Sequence, residues 1–138
     1  MPFTHTVENR LLHFRWHGVI SRKDLQSFGR NMPGLVASLG FTPNILHTFD
    51  GMKGHSFQPL MVYMFSLLRK RATIPTPVKS AAVAKTPKVR AIARLFKACN
   101  HSPNLTIEVF DSEEAARTWL ALEMDLDPER DLVGSDLS

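Results

Sequence analysis

Segments with a two-residue apolar period alternate along this chain with segments of helical period, and that alternation restricts it to sheet-plus-helix architectures. Leu12, Phe14 and Trp16 fall on one side of an extended chain, with His13, Arg15 and His17 on the other, as in a half-buried strand. Phe3 to Val7, followed by Glu8-Asn9-Arg10 as a turn, predicts that this strand is the second arm of a hairpin. Ser21 and Asp24 form a capping-box pair for a helix in which Leu25, Phe28, Met32, Val36 and Leu39 keep helical spacing. Pro33 interrupts that pattern and predicts a kink or break just before it, and Gly40 ends the element. Asn44 to Phe49 reads as a short central strand delivering Asp50 to its end, with residues 51–55 as a loop.

The second half repeats the alternation. Ser56 is placed to cap a second helix with Pro59 in its first turn. That helix is apolar nearly all round from Leu60 to Leu68 and closes on Arg69-Lys70-Arg71, where cations suit the helix dipole. Val78 to Ala84 reads as a strand, and Thr86-Pro87 starts a third helix as cap and first residue. Leu105 to Phe110 is the last strand, and Asp111 with Glu114 predicts a capping box for a helix carrying Ala115, Ala116, Trp119, Leu120 and Leu122. The expected fold is therefore a single α/β domain over residues 1–123, with residues 124–138 an acidic, poorly ordered tail. A chain of 138 residues buries roughly 68% of its extended surface, so neither metal nor disulfide is needed for it to fold. The single cysteine, Cys99, permits no intrachain disulfide. No signal peptide pattern is visible, and the longest apolar run falls far short of the ~20 residues of a spanning helix, so a cytoplasmic location is expected.

Charge is divided along the chain. Residues 51–107 carry ten Lys/Arg and no carboxylate, whereas residues 108–138 carry ten Asp/Glu and two Arg. The basic stretch attracts anions, and the acidic one is placed to neutralise it within the fold or in a neighbouring copy.

The stretch Val78 to Ala84, the run Arg94-Leu95-Phe96, and Ile107 to Leu120 with its Phe110 and Ala116 leading to Trp119-Leu120 together resemble the small bacterial SpoIIAA-like proteins, also described as STAS/CRAL-TRIO-like. The resemblance spans residues 3–122 and is motif-specific in the last third. It implies a mixed sheet of about five strands with helices mainly on one face, and it supports that fold more strongly than any role. Related STAS domains are phosphorylated on a serine at the start of the helix after the central strand. The position matching that serine is Ser56, although Asp50-Gly51-Met52-Lys53-Gly54-His55 stands where those domains have an Asp-Ser-Ser-Gly-like run.

Three candidate sites follow. Asp50, Lys53, His55 and Ser56 form a partner loop in which Ser56 is either a switch or simply a helix cap. Met61, Tyr63, Met64 and Phe65 belong to plain core, a homodimer face or a lipid-like ligand pocket. Arg90, Arg94 and Lys97 lie opposite Val89, Ile92, Phe96 and Cys99, as a solvated helix face or an anion-contacting one. No glycine-rich phosphate loop precedes that stripe and no aromatics interleave with it, which argues against nucleic acid. Metal and catalysis find no support: His13 and His17 lie ~13 Å apart on a strand, Cys99 lacks a recognisable His/Asn pair, and Asp50 has no evident acid–base partner. The reading is a non-enzymatic interaction or regulatory module without cofactor, whose alternative is a small carrier or sensor for an apolar or anionic ligand.

Overall fold

The hairpin is present as expected: β1 (Phe3–Glu8) and β2 (Leu11–Ile20) pair antiparallel from Phe3 opposite Trp16 to Glu8 opposite Leu11. Asn9, at φ 57°, turns the chain between them in the left-handed region that asparagine tolerates. The structure is a computed structural model that describes residues 3–58, 62, 76–100, 102 and 104–125. After β2 come α1 (Arg22–Leu39), β3 (Asn44–His55), β4 (Val78–Val83), α2 (Pro87–Cys99), β5 (Leu105–Phe110) and α3 (Glu113–Asp125). The five strands form one mixed sheet in the order β1-β2-β3-β4-β5, with β2 to β5 mutually parallel.

That order decides where the helices go. The crossovers β2-α1-β3 and β4-α2-β5 both step in the same direction across the sheet, and such crossovers are right-handed in nearly all proteins, so both helices cover the same face. Leu12, Phe14, Trp16, Ile45 and Ile107 pack there with Leu25 and Phe28 of α1, and Ile92, Leu95 and Phe96 of α2 close over them. The chain leaves the edge strand β5 to place α3 on the opposite face, where Ala116, Leu120 and Trp119 meet Leu46, Ala81 and Val83. β4 lies between these layers and every one of its six residues is buried, as expected of a parallel strand covered on both sides.

The capping box at Ser21 and Asp24 is formed: the Asp24 N–H donates to the Ser21 hydroxyl at 3.2 Å, and the Ser21 N–H donates to the Asp24 carboxylate at 2.8 Å. Thr86 caps α2 by accepting from the Val89 N–H, with Pro87 at the first helical position. Four expectations need correction. The helix does not break before Pro33 but runs on to Leu39, because Pro33 and Gly34 lie on its exposed side while the flanking apolar residues pack on one core. β3 does not stop at Phe49; the supposed loop 51–55 is strand, paired with His17 to Ile20 of β2. No helix starts at Ser56: residues 56–58 are not helical, and the Ser56 N–H donates to the Ile20 carbonyl at 3.0 Å, continuing the ladder. The cap of α3 is Ser112 rather than Asp111, since the Ser112 hydroxyl accepts from the Ala115 N–H at 3.2 Å. The apolar stretch around Met61, Tyr63, Met64 and Phe65, apart from buried Val62, lies outside the described residues, as does the chain from residue 126 on.

Candidate functional site

Two glycines make the far end of β3 possible. The β2–β3 register slips between Arg15 and His17, which pairs with Gly51, and again between Gly18 and Val19, which pairs with Gly54. Each slip leaves one extra residue on β3: Phe49 and Asp50 stand opposite Trp16 alone at the first, and Lys53 has no counterpart at the second. Such bulges bend a strand and re-aim its side chains. A Cβ on Gly51 would stand 2.8 Å from the Cβ of His17, so only glycine lets the two strands approach this closely. β4 pairs with β3 only from Ile45 to Thr48, and the ribbon of β2 and β3 therefore continues past the end of that pairing.

The ribbon carries the partner-loop residues. Asp50, Lys53 and Ser56 are exposed, as is Val19, which is 58% accessible. Asp50 pairs with Lys85, just beyond β4, at 3.2 Å between two well-exposed side chains, a contact worth ~0–1 kcal/mol. His55 is turned inward instead: its ring donates from Nδ1 to the Phe57 carbonyl at 3.0 Å and packs on the Phe57 ring at 4.6 Å between centroids. Asp50, Lys53 and Ser56 thus share one projecting strand end, while His55 anchors the chain to buried Phe57.

The basic stripe on α2 is divided. Lys97 forms an ion pair with Glu108 at 2.8 Å, which joins the basic stretch to the acidic one as the charge division implied. Arg90 lies 3.5 Å from the Ala84 carbonyl, and Arg94 is exposed. Among the described residues, no group of three or more His, Cys, Asp or Glu is placed to hold a metal ion, and no helix is long and apolar enough to cross a membrane.

Sequence reasoning missed two features. His13 is not on a solvated face; it is 2% exposed. The Glu8 carboxylate can only accept, so the His13 Nδ1–H donates to it at 3.3 Å, and Nε2 accepts from the Thr48 hydroxyl at 2.9 Å. Arg117 of α3 reaches the same carboxylate at 3.1 Å and holds Glu113 at 2.8 Å. Burial pushes the imidazole below its usual pKa, and the nearby Arg15 guanidinium adds to this against the opposing pull of Glu8. The hydrogen bond from Arg117 holds the Glu8 carboxyl below the usual carboxylate range. No local sequence signal announces a bond between residues 109 positions apart. The second missed feature is a cavity of about 100 Å³ beneath α1 and α2, lined by aromatic rings from β2, β3 and both helices. Its one legible hint is the pair of small residues Ser80 and Ala82 facing those rings from an otherwise bulky buried layer.

The SpoIIAA-like family model matches residues 11–121. The chain belongs to the SpoIIAA-like family. A solved structure similar to this SpoIIAA-like chain is that of an uncharacterised protein of the DUF3478 family, with a SpoIIAA-like fold, from Shewanella loihica PV-4. It is 16% identical, covers 86% of this chain and 91% of its own, and gives a TM-score of 0.52. Another is the anti-sigma factor antagonist SpoIIAA in its unphosphorylated form, 11% identical over 90% of this chain and 99% of its own, with a TM-score of 0.56. At those identities the likeness is one of fold. No functionally curated protein matches the chain significantly. The expected mixed five-stranded sheet, with two of the three described helices on one face, is the fold found.

Proposed function

We propose that this SpoIIAA-like chain is a non-catalytic protein-interaction module of a regulatory system, and that its partner docks on the projecting end of the β2–β3 ribbon. One observation carries the reading. Two bulges and the short β3–β4 pairing leave Asp50, Lys53 and Ser56 exposed beside Val19 on a strand end that extends beyond the sheet's shared ladder. A mixed patch of one aliphatic side chain and both charges suits a protein surface better than a small metabolite. A solved protein of the same fold is named as an antagonist of an anti-sigma factor, which is itself an interaction role. Ser56 is exposed, so a phosphate added there would change the charge of this surface by about −1.5 to −2. No helix begins at Ser56, so side-chain cations such as Lys53 would meet that phosphate in place of free helix N–H groups.

The test is site-specific photo-crosslinking in cells that make the full chain. A crosslinking residue in place of Lys53 is expected to capture one discrete protein, and the same residue in place of the exposed Lys88 on α2 is expected not to. Ser56→Asp should weaken the capture at position 53 several-fold. A band at twice the chain's mass identifies a second copy as the partner. Equal crosslinking at both positions, or none at position 53, removes the proposed surface.

A further inference from the structure

The cavity beneath α1 and α2 is the feature that the interaction surface leaves unexplained. Its volume is about 100 Å³, two-thirds of the ~150 Å³ apolar cavities that take up benzene. Trp16 and Phe49 line it from the sheet, Phe28 from α1 and Phe96 from α2. Their packing is that of a ring-binding environment: Trp16 and Phe49 stack at 18° between planes, and Phe28 meets Trp16 at 5.2 Å between centroids. None of the described lining side chains is Lys, Arg, Asp or Glu.

One polar group in this wall has no assignment. Ser80 of β4 is 6% exposed and lines the cavity. The strand ladder holds its backbone, but its hydroxyl has no hydrogen-bond partner among the described residues. A buried hydroxyl without a partner costs ~1–3 kcal/mol, so its presence calls for a bound group. The indole N–H of Trp16 is already committed, donating to His47 Nδ1 at 3.0 Å. Water alone is a poor occupant, since a trapped water needs two to four polar partners and the walls here are mainly aromatic and aliphatic. Phe49, Met52, Ile92 and Phe96 of its wall are only half-buried.

We infer that this cavity is a binding site for a small uncharged aromatic molecule of one ring bearing a single hydrogen-bonding group, with the ring among Trp16, Phe28, Phe49 and Phe96 and the polar group on the Ser80 hydroxyl. The site lies on other residues than the interaction surface, and either reading stands without the other. A bound ring would touch residues of both α1 and α2 and so would stabilise the packing of both helices on the sheet.

Phenol and benzene are the probes, and the readout is the pair of indole N–H resonances in a ¹H–¹⁵N spectrum of the full chain. The chain has two tryptophans, Trp16 in the cavity wall and Trp119 on the other face. Phenol is expected to shift the Trp16 signal saturably and leave that of Trp119 in place. Benzene should bind at least five-fold more weakly, because it leaves the Ser80 hydroxyl unmet. In Ser80→Ala the preference for phenol should collapse to about one-fold while benzene binding persists. Ala82→Leu, which fills the cavity, should abolish the Trp16 response to both. The proposal is overturned if neither probe shifts Trp16 saturably, as a cavity holding only water would behave. It is equally overturned if both signals move together, if phenol and benzene bind alike in the wild type, or if Ser80→Ala keeps the preference.

Discussion

The two faces of this sheet solve the same burial problem in opposite ways. Under α1 and α2 the contacts are large and aromatic: Phe3, Phe14, Trp16 and Phe28 form a cluster with ring centroids 4.9–5.8 Å apart, and the rings leave a gap of about 100 Å³. Under α3 small residues alternate with Leu46, Leu120 and the Phe110–Trp119 ring pair, and polar groups tie them. Ala81, Val83 and Ala116 pack closely, Lys79 lays its ammonium over the Trp119 ring at 3.9 Å and donates to the Trp119 carbonyl, and Glu8 gathers His13 and Arg117. The difference teaches that a layer built mainly of rigid rings buries much area but leaves a gap among them, whereas small residues set between a few large ones let Ala81, Val83 and Ala116 come into contact. The gap on the first face is walled mainly by rings and aliphatic side chains, whereas the opening beside α3 is walled by Glu8, Arg10, Asn44 and Arg117 together with Leu11 and Leu120.

The contrast can be broken most forcefully at Phe28. Phe28→Ala removes the ring that meets Phe3, Phe14 and Trp16, and is expected to cost ~3–5 kcal/mol in urea unfolding. A cost below ~1 kcal/mol would show that the aromatic cluster is not the core of its face. On the opposite face the helix start can be probed alone. Ser112→Ala should cost ~1 kcal/mol and Asp111→Ala almost nothing, because only the serine hydroxyl accepts from a helical N–H. Equal costs would return the cap to Asp111.

Acid sharpens the comparison further, since the α3 face carries the buried His13. His13 has its pKa lowered by burial, so the folded state binds fewer protons there than the unfolded chain. Its stabilising contribution is complete above the ordinary histidine value of about 6.5 and is lost as pH falls from there toward the lowered folded value. Glu8, also lowered, gives up its contribution at more acid pH still, as its carboxyl protonates and releases Arg117. Unfolding free energy measured against pH should therefore fall below about 6.5, and His13→Gln should flatten the first part of that fall. An unchanged slope in the variant would assign the loss to another group.

Much of this arrangement was legible in the residues. Thr86-Pro87 marked the start of α2, Ser21 and Asp24 that of α1, and the alternation from Leu105 to Phe110 gave β5 its ends, because caps and period-two patterns are local signals. The misreadings have physical causes. Gly51 and Gly54 are loop residues by propensity, but here they serve a bulged ladder in which Gly51 sits against His17, and that is a non-local demand. Asp111 and Ser112 are both good caps, and nothing local chooses between them. The cavity and the Glu8–His13–Arg117 contacts join residues far apart in the chain, so neither leaves a period to read.

Adjacent residues of β4 test the unequal filling of the two faces directly. Ala81 points into the packed cluster under α3 and Ala82 toward the cavity under α2. With the same two methyl groups added and both variants followed by urea unfolding, Ala81→Val is expected to lose ~1–3 kcal/mol to overpacking. Ala82→Val is expected to be neutral or more stable than wild type. Equal losses at the two positions would mean that the faces are filled alike and that the cavity is not there.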